Sequence, residues 1–215
     1  MLSTHSQMGL KHEKNDDALF AGLAKDCSIL MVCDGVSSTP RGGWVAQLVC
    51  NYVRFVFERE KSMSLEKLKE VLVYVDWVSQ QLGRGQAACT LSIVCIKGNS
   101  AWIASLGDSP VLLCSKERFQ ENNLEWLVAK EGARGLRNFV GMGKELLNSL
   151  SYSEFKVKKG DWILVMSDGV GETLSVDEFY DGFRKREFKS VARELCFLAK
   201  SHGARDDLSV VALSL

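Results

Sequence analysis

Proline is scarce in this chain, with only Pro40 and Pro110 among 215 residues. No linker, internal repeat or low-complexity stretch divides it. Net charge is also missing, because 27 Lys and Arg balance 27 Asp and Glu. With no basic stripe interleaved with aromatics, neither a nucleic-acid surface nor a membrane surface is expected. No apolar stretch is long enough to span a bilayer as a helix. The polar segment Met1–Asp17 lacks the apolar core of a signal peptide. The seven cysteines are odd in number, include no C-x-x-C pair and sit mostly inside apolar runs. They read as buried thiols of a reducing compartment, neither disulfides nor a zinc site. The expectation is a cytoplasmic protein.

The chain has the length of one domain with a substantial core, and its 46% hydrophobic and 25% charged residues are those of an ordinary globular protein. Three apolar runs end in an aspartate beside a glycine: Ile29–Cys33 into Asp34-Gly35, Ala101–Leu106 into Gly107-Asp108, and Trp162–Ser167 into Asp168-Gly169. A fourth acidic pair, Asp206-Asp207, opens the apolar run Leu208–Leu215, and Asn15-Asp16-Asp17 leads into Ala18–Ala24. One Asp-Gly is a common turn. Its repetition at the ends of buried strands is more telling, because a carboxylate there needs a partner. If the strand ends meet on one rim, the acids form an oxygen-rich nest suited to hard divalent cations.

Strands are expected at Asp17–Ala24, Ser28–Cys33, Cys89–Lys97, Ser100–Leu106, Val111–Ser115, Glu125–Ala129, Tyr152–Val157, Asp161–Ser167 and Asp207–Ser214. The tight spacing from Cys89 to Ser115 requires antiparallel pairing. A helix should start near Thr39-Pro40, with Thr39 as cap and Pro40 in its first turn. A second should follow Ser64, and a third should open at Ser175, where Glu178 completes a capping box. A last helix should carry Phe188, Val191, Leu195, Leu198 and Ala199 on one face, while Lys130–Leu150 stays ambiguous. The simplest architecture is α+β: an α/β/β/α sandwich of two antiparallel sheets flanked by helix pairs.

The ordered set Asn15-Asp16-Asp17-Ala18, Asp34-Gly35, Thr90, Gly107-Asp108-Ser109, Gly160-Asp161, Ser167-Asp168-Gly169 and Arg205-Asp206-Asp207-Leu208-Ser209-Val210 resembles the metal-dependent protein serine/threonine phosphatases of type 2C, the PPM family. The resemblance runs from about residue 9 to the C-terminus and implies a single phosphatase domain over 1–215, with a shortened flap at about 116–150. It also implies two tightly bound Mn²⁺ or Mg²⁺ ions and, as in many members, a third weaker one. Asp34 would bridge the two ions, with the Gly35 carbonyl as a further ligand. Asp16 stands where the family has a metal-reaching glutamate, Asp17 would orient metal-bound water, and Asp168 and Asp206 would ligate the second ion. Asp108 and Glu172 match the third site. The implied reaction is hydrolysis of phosphoserine or phosphothreonine in proteins by a metal-bound water, opposing a serine/threonine kinase.

Three features depart from the family pattern. His12, beside Lys11 and Lys14, replaces an arginine that commonly grips the substrate phosphate, and histidine lacks the bidentate fork. His12 could equally be a solvated loop residue. Ser37-Ser38 follow where two glycines are common, and Val36 replaces the histidine of some members. Arg41 or Arg137 could supply the missing grip, while His5 and His202 read as surface residues. These departures motivate an alternative function, a catalytically weak relative that binds phosphorylated partners. A receiver-like phosphotransferase is a third reading, against which the tight antiparallel series speaks.

Overall fold

The computed structural model describes residues 1–115, 125–128, 138–185 and 188–215. Two five-stranded antiparallel sheets stack face to face. In chain order the strands and helices of the first half are β1 (Leu2–Gln7), β2 (Ala18–Leu23), β3 (Ser28–Cys33), α1 (Gly42–Glu60), α2 (Leu65–Gly83), β4 (Leu91–Lys97), β5 (Ser100–Leu106) and β6 (Val111–Cys114). The second half holds β7 (Glu125–Val128), α3 (Leu146–Ser149), β8 (Ser151–Lys156), β9 (Trp162–Met166), α4 (Asp168–Gly171), α5 (Val176–Lys185), α6 (Val191–Ser201) and β10 (Leu208–Ser214). One sheet runs β1-β10-β9-β6-β7 and the other β2-β3-β4-β5-β8.

The period-2 alternation of side chains divides the core into three layers. On β3, Ile29, Met31 and Cys33 face the α1–α2 layer, whereas Leu30 and Val32 face the opposite sheet. On β10, Leu208, Val210 and Ala212 face the α5–α6 layer, whereas Val211 and Leu213 enter the space between the sheets. Both strands are therefore apolar almost throughout, which is why they read as continuous runs. Helix α1 buries Val45, Val49, Val53 and Val56, and α2 buries Leu68, Val71, Leu72 and Val75, each a stripe of helical period. All seven cysteines are free and buried. Among the described residues no helix is long and apolar enough to cross a membrane.

Local signals explain the starts of two helices. The Ser64 side chain accepts the Lys67 amide at 3.2 Å and caps α2. The Ser175 amide donates to Glu178 Oε2 at 2.8 Å, and the Glu178 amide donates back to Ser175 Oγ at 3.4 Å, so the expected capping box opens α5.

Two expectations need correction. Helix α1 begins at Gly42, behind Arg41, and not at Pro40; Thr39 instead closes a turn by donating its hydroxyl to the Val36 carbonyl at 2.8 Å. The reason is a close approach. A Cβ on Gly42 would lie 2.7 Å from the Val36 carbonyl oxygen, and one on Gly43 would lie 2.0 Å from Asp16 Oδ1. The glycine pair lets the helix start touch the acidic loops, so the close approach falls to residues 42 and 43 where Ser37-Ser38 offer none. The second correction is β1, a strand in a segment read only as polar. It pairs with β10 along its length, and its buried Ser3 hydroxyl donates to the Lys189 carbonyl at 3.0 Å and accepts the Ala192 amide at 3.2 Å. The expected strand at Glu125–Ala129 is present as β7, whereas Ala129 and the rest of 129–137 lie outside the described residues.

Candidate metal centre on the sheet rim

Antiparallel order decides where the acids go. The C-terminal end of β3 lies beside the N-terminal ends of β2 and β4, and the end of β9 lies beside the start of β10. Asp17 precedes β2, Asp34 follows β3, Asp108 follows β5, Asp168 follows β9, and Asp206-Asp207 precede β10. Strands of opposite direction thus deliver these carboxylates to one rim of the sandwich. Hydroxyls fix the backbone beneath them. The Asp34 amide donates to Thr90 Oγ1 at 3.0 Å, the Thr90 amide returns a bond to the Asp34 carbonyl at 2.8 Å, and Thr90 Oγ1 lies 2.7 Å from Ser109 Oγ. The Ser167 hydroxyl donates to the Asp207 carbonyl at 3.1 Å and accepts the Ser209 amide at 2.9 Å.

The crowding raises the carboxyl pKa values. Burial pushes Asp34 well above the usual carboxylate range, and the charges of Asp17, Asp168 and Asp206 add to it. Burial also lifts Asp17 to about 7, aided by Asp207 and Asp168 and opposed by the hydroxyls of Ser209 and Ser167. Asp168 rises to about 6 through burial and then through Asp206 and Asp108. Asp108 is raised by burial, with Glu172 and Asp206 contributing.

Both carboxylate oxygens of Asp17, and Oδ1 of Asp168, are buried and lack a hydrogen bond of good geometry, and the Ser209 and Ser167 hydroxyls near Asp17 only partly offset its burial. Unpaired buried carboxylate oxygens carry a large desolvation cost unless a cation compensates it. The donors around them are carboxylate oxygens, so the residues present fit a hard divalent cation such as Mg²⁺ or Mn²⁺.

The structure brings Asp17, Asp34, Asp108, Asp168, Glu172 and Asp206 within reach of each other's charge, with the Gly35 backbone next to Asp34. Asp16 stands at the edge of the group. Its carboxylate pairs with Lys14 at 2.8 Å, and its Oδ1 is the atom against which Gly43 packs. His12 is neither solvated nor isolated: Nδ1 lies 3.0 Å from Asp207 Oδ2 and Nε2 lies 3.5 Å from Asp206 Oδ1. The Asp207 contact raises the imidazole pKa, against an opposing effect of burial. Arg41 gives its guanidinium to the Leu82 carbonyl at the end of α2. Arg137 lies outside the described residues. The His5 ring is tilted against that of Phe197, with centroids 5.7 Å apart, while His202 lies 3.3 Å from Glu178 and lines the same concavity as Asp168, Glu172 and Asp206.

Asp207 is the residue that sequence reasoning left without a role. It is buried, and its two oxygens accept the Gly9 amide at 2.9 Å and the Asp16 amide at 2.7 Å. It therefore fastens the N-terminal loop that carries His12, Asp16 and Asp17 to the start of β10. The doublet Asp206-Asp207 was the available signal, one acid turned to the cluster and one to the loop.

Fold and site together define a class. The chain belongs to the protein phosphatase 2C family, whose profile matches residues 5–209, and it is by class a serine/threonine protein phosphatase. No curated protein gave a significant match. Among solved structures, PppA of Pseudomonas aeruginosa, described as a key regulatory component of T6SS, is 23% identical, with a TM-score of 0.81 over 100% of this chain and 97% of that chain. The catalytic domain of the serine/threonine phosphatase PstP, solved with two manganese ions, is 18% identical, with a TM-score of 0.81 over 99% of this chain and 96% of its own. Stp1 of Staphylococcus aureus is 15% identical, with a TM-score of 0.85 over 100% of this chain and 94% of its own. At these identities the neighbours establish the shared sandwich fold.

Proposed function

We propose that this protein hydrolyses phosphoserine and phosphothreonine in proteins with Mn²⁺ or Mg²⁺ bound at the sheet rim. The observation that carries the reading is the convergence on one rim of Asp17, Asp34, Asp108, Asp168, Glu172 and Asp206, with buried carboxylate oxygens on Asp17 and Asp168 whose charge the chain's own hydroxyls only partly offset. Asp34, the Gly35 carbonyl, Asp168 and Asp206 would hold two ions, with Asp16 at their edge, and Asp108 and Glu172 would hold a weaker third. Bound there, such ions supply an activated water and neutralise phosphoryl oxygens. Asp17, whose carboxylate oxygens are buried beside these ligands, would orient water at the bound ions. His12, fixed between Asp206 and Asp207, holds the ligand loop in shape, and its raised pKa keeps positive charge at the rim where a phosphate arrives.

The substrate is a phosphorylated protein, the product of a serine/threonine kinase that this activity opposes, and seven free buried thiols suit a reducing cytoplasm. The test is hydrolysis of a phosphothreonine peptide with Mn²⁺, with and without excess chelator. Turnover that appears with Mn²⁺ and vanishes with chelator supports the proposal; turnover that persists in chelator sinks it.

A further inference from the structure

Near the rim lies a concavity with a volume of about 630 Å³. Its lining is mixed: Val36, Ala87, Ala88, Phe139 and Met142 are apolar, whereas Ser38 and Thr39 bring hydroxyls. Its volume falls in the range of natural ligand pockets. One wall of the cavity is next in the chain to the acidic rim. Val36 follows Gly35, and its amide donates to the Ala88 carbonyl at 3.0 Å. Consecutive Cα atoms are about 3.8 Å apart, so the cavity lies within reach of a residue one or two places from a phosphoresidue at Asp34.

The cavity is built, not a chance gap between loops. The wall formed by residues 140–143 is clamped by Asp76, a buried carboxylate of α2 that the proposed chemistry does not use. Its Oδ1 accepts the Gly141 amide at 2.6 Å and the Gly143 amide at 3.4 Å. Val140 and Cys89 exchange backbone hydrogen bonds at 2.9 and 3.3 Å, which ties the wall to the strand entering β4. Gly141 has φ +109°, and a Cβ there would lie 2.3 Å from the Ala87 carbonyl oxygen, so the wall reaches its place only with glycine. A buried charge with two amide donors rigidifies such a loop.

We infer that this cavity is a substrate subsite that receives an apolar side chain lying within two residues of the phosphoserine or phosphothreonine. The inference rests on the phosphatase reading for its phosphoresidue, and on the cavity alone for the apolar preference. A lining of five apolar residues and two hydroxyls, with no charged group, favours leucine, methionine or phenylalanine over aspartate or lysine.

The experiment measures fluorescence anisotropy of two labelled peptides carrying a non-hydrolysable phosphonate analogue of phosphothreonine, flanked by leucine in one and glycine in the other. Burying a leucine side chain predicts that wild type binds the first about tenfold or more tightly. In Met142→Glu, and independently in Ala87→Glu, the ratio should fall toward one while the glycine peptide still binds. Equal affinities in wild type, or an unchanged ratio in both variants, overturn the inference. Hydrolysis of p-nitrophenyl phosphate by wild type separates the two claims, because that substrate has no flanking residue. Discrimination between the peptides without any hydrolysis upholds the subsite and removes the phosphatase reading.

Discussion

Replacing Asp17 by asparagine should stabilise the metal-free protein while impairing its chemistry. Asp17 has a folded pKa of about 7, against 3.8 for an unperturbed aspartate. The shift is upward, so the ionised form is disfavoured by folding. The penalty is absent below the unfolded pKa, grows as pH rises and is complete above the folded pKa. Three units at about 1.36 kcal/mol each put it at about 4 kcal/mol at pH 8 and under about 2 kcal/mol at pH 5. Asparagine removes the charge, and the neighbouring Ser167 and Ser209 hydroxyls can take its amide hydrogens. An imperfectly satisfied amide would return about 1–3 kcal/mol. A net gain of about 1–3 kcal/mol at pH 8, and little at pH 5, remains. For a chain of this size 1 kcal/mol moves Tm by about 2–4 °C, so thermal unfolding in excess chelator at both pH values is sensitive enough. Saturating Mn²⁺ should reverse the order, since wild type offers the better site. A variant less stable than wild type at pH 8, or a difference that ignores pH, would refute the reasoning.

Asp34→Asn should abolish turnover with the fold intact by circular dichroism; near-normal turnover in saturating Mn²⁺ would show that Asp34 does not bridge the ions. Asp108→Ala and Glu172→Ala should slow turnover yet keep two tight Mn²⁺ sites by calorimetry, and loss of both sites in either variant would contradict their place at the third. His12 has a raised pKa, so the stability from its contact with Asp207 is present below about pH 6.5 and is lost as pH climbs through the raised value. His12→Ala should therefore cost stability at pH 6 and little at pH 9, and should raise KM for a phosphothreonine peptide most at low pH; an effect equal at both pH values would count against this role.

The rim was legible because its signal is local. Each of Asp34, Asp108 and Asp168 sits at the end of an apolar run beside a glycine, and consecutive tight turns force the antiparallel order that gathers such ends. The parts that escaped sequence reading are long-range. Asp207 meets Gly9 across 198 residues and Asp76 meets Gly141 across 65, and nothing in the flanking residues announces either partner. Strand β1 was missed because Ser3, Thr4, His5, Ser6 and Gln7 carry no apolar alternation; the edge of β10 and the Ser3 hydroxyl hold it in place. The start of α1 was misplaced because a favourable Thr-Pro signal lost to the contact that Gly42 and Gly43 make with the acidic loops.

The central claim is that these acids are held in a crowded, partly protonated state that a divalent cation relieves. Calorimetric titration of Mn²⁺ into the metal-stripped protein near pH 6, repeated in buffers of different ionisation enthalpy, tests it most directly. With Asp17 near 7 and Asp168 near 6, binding should release protons, and the release should shrink as pH rises above 8. Absence of binding, or binding with no proton release near pH 6, would contradict the account.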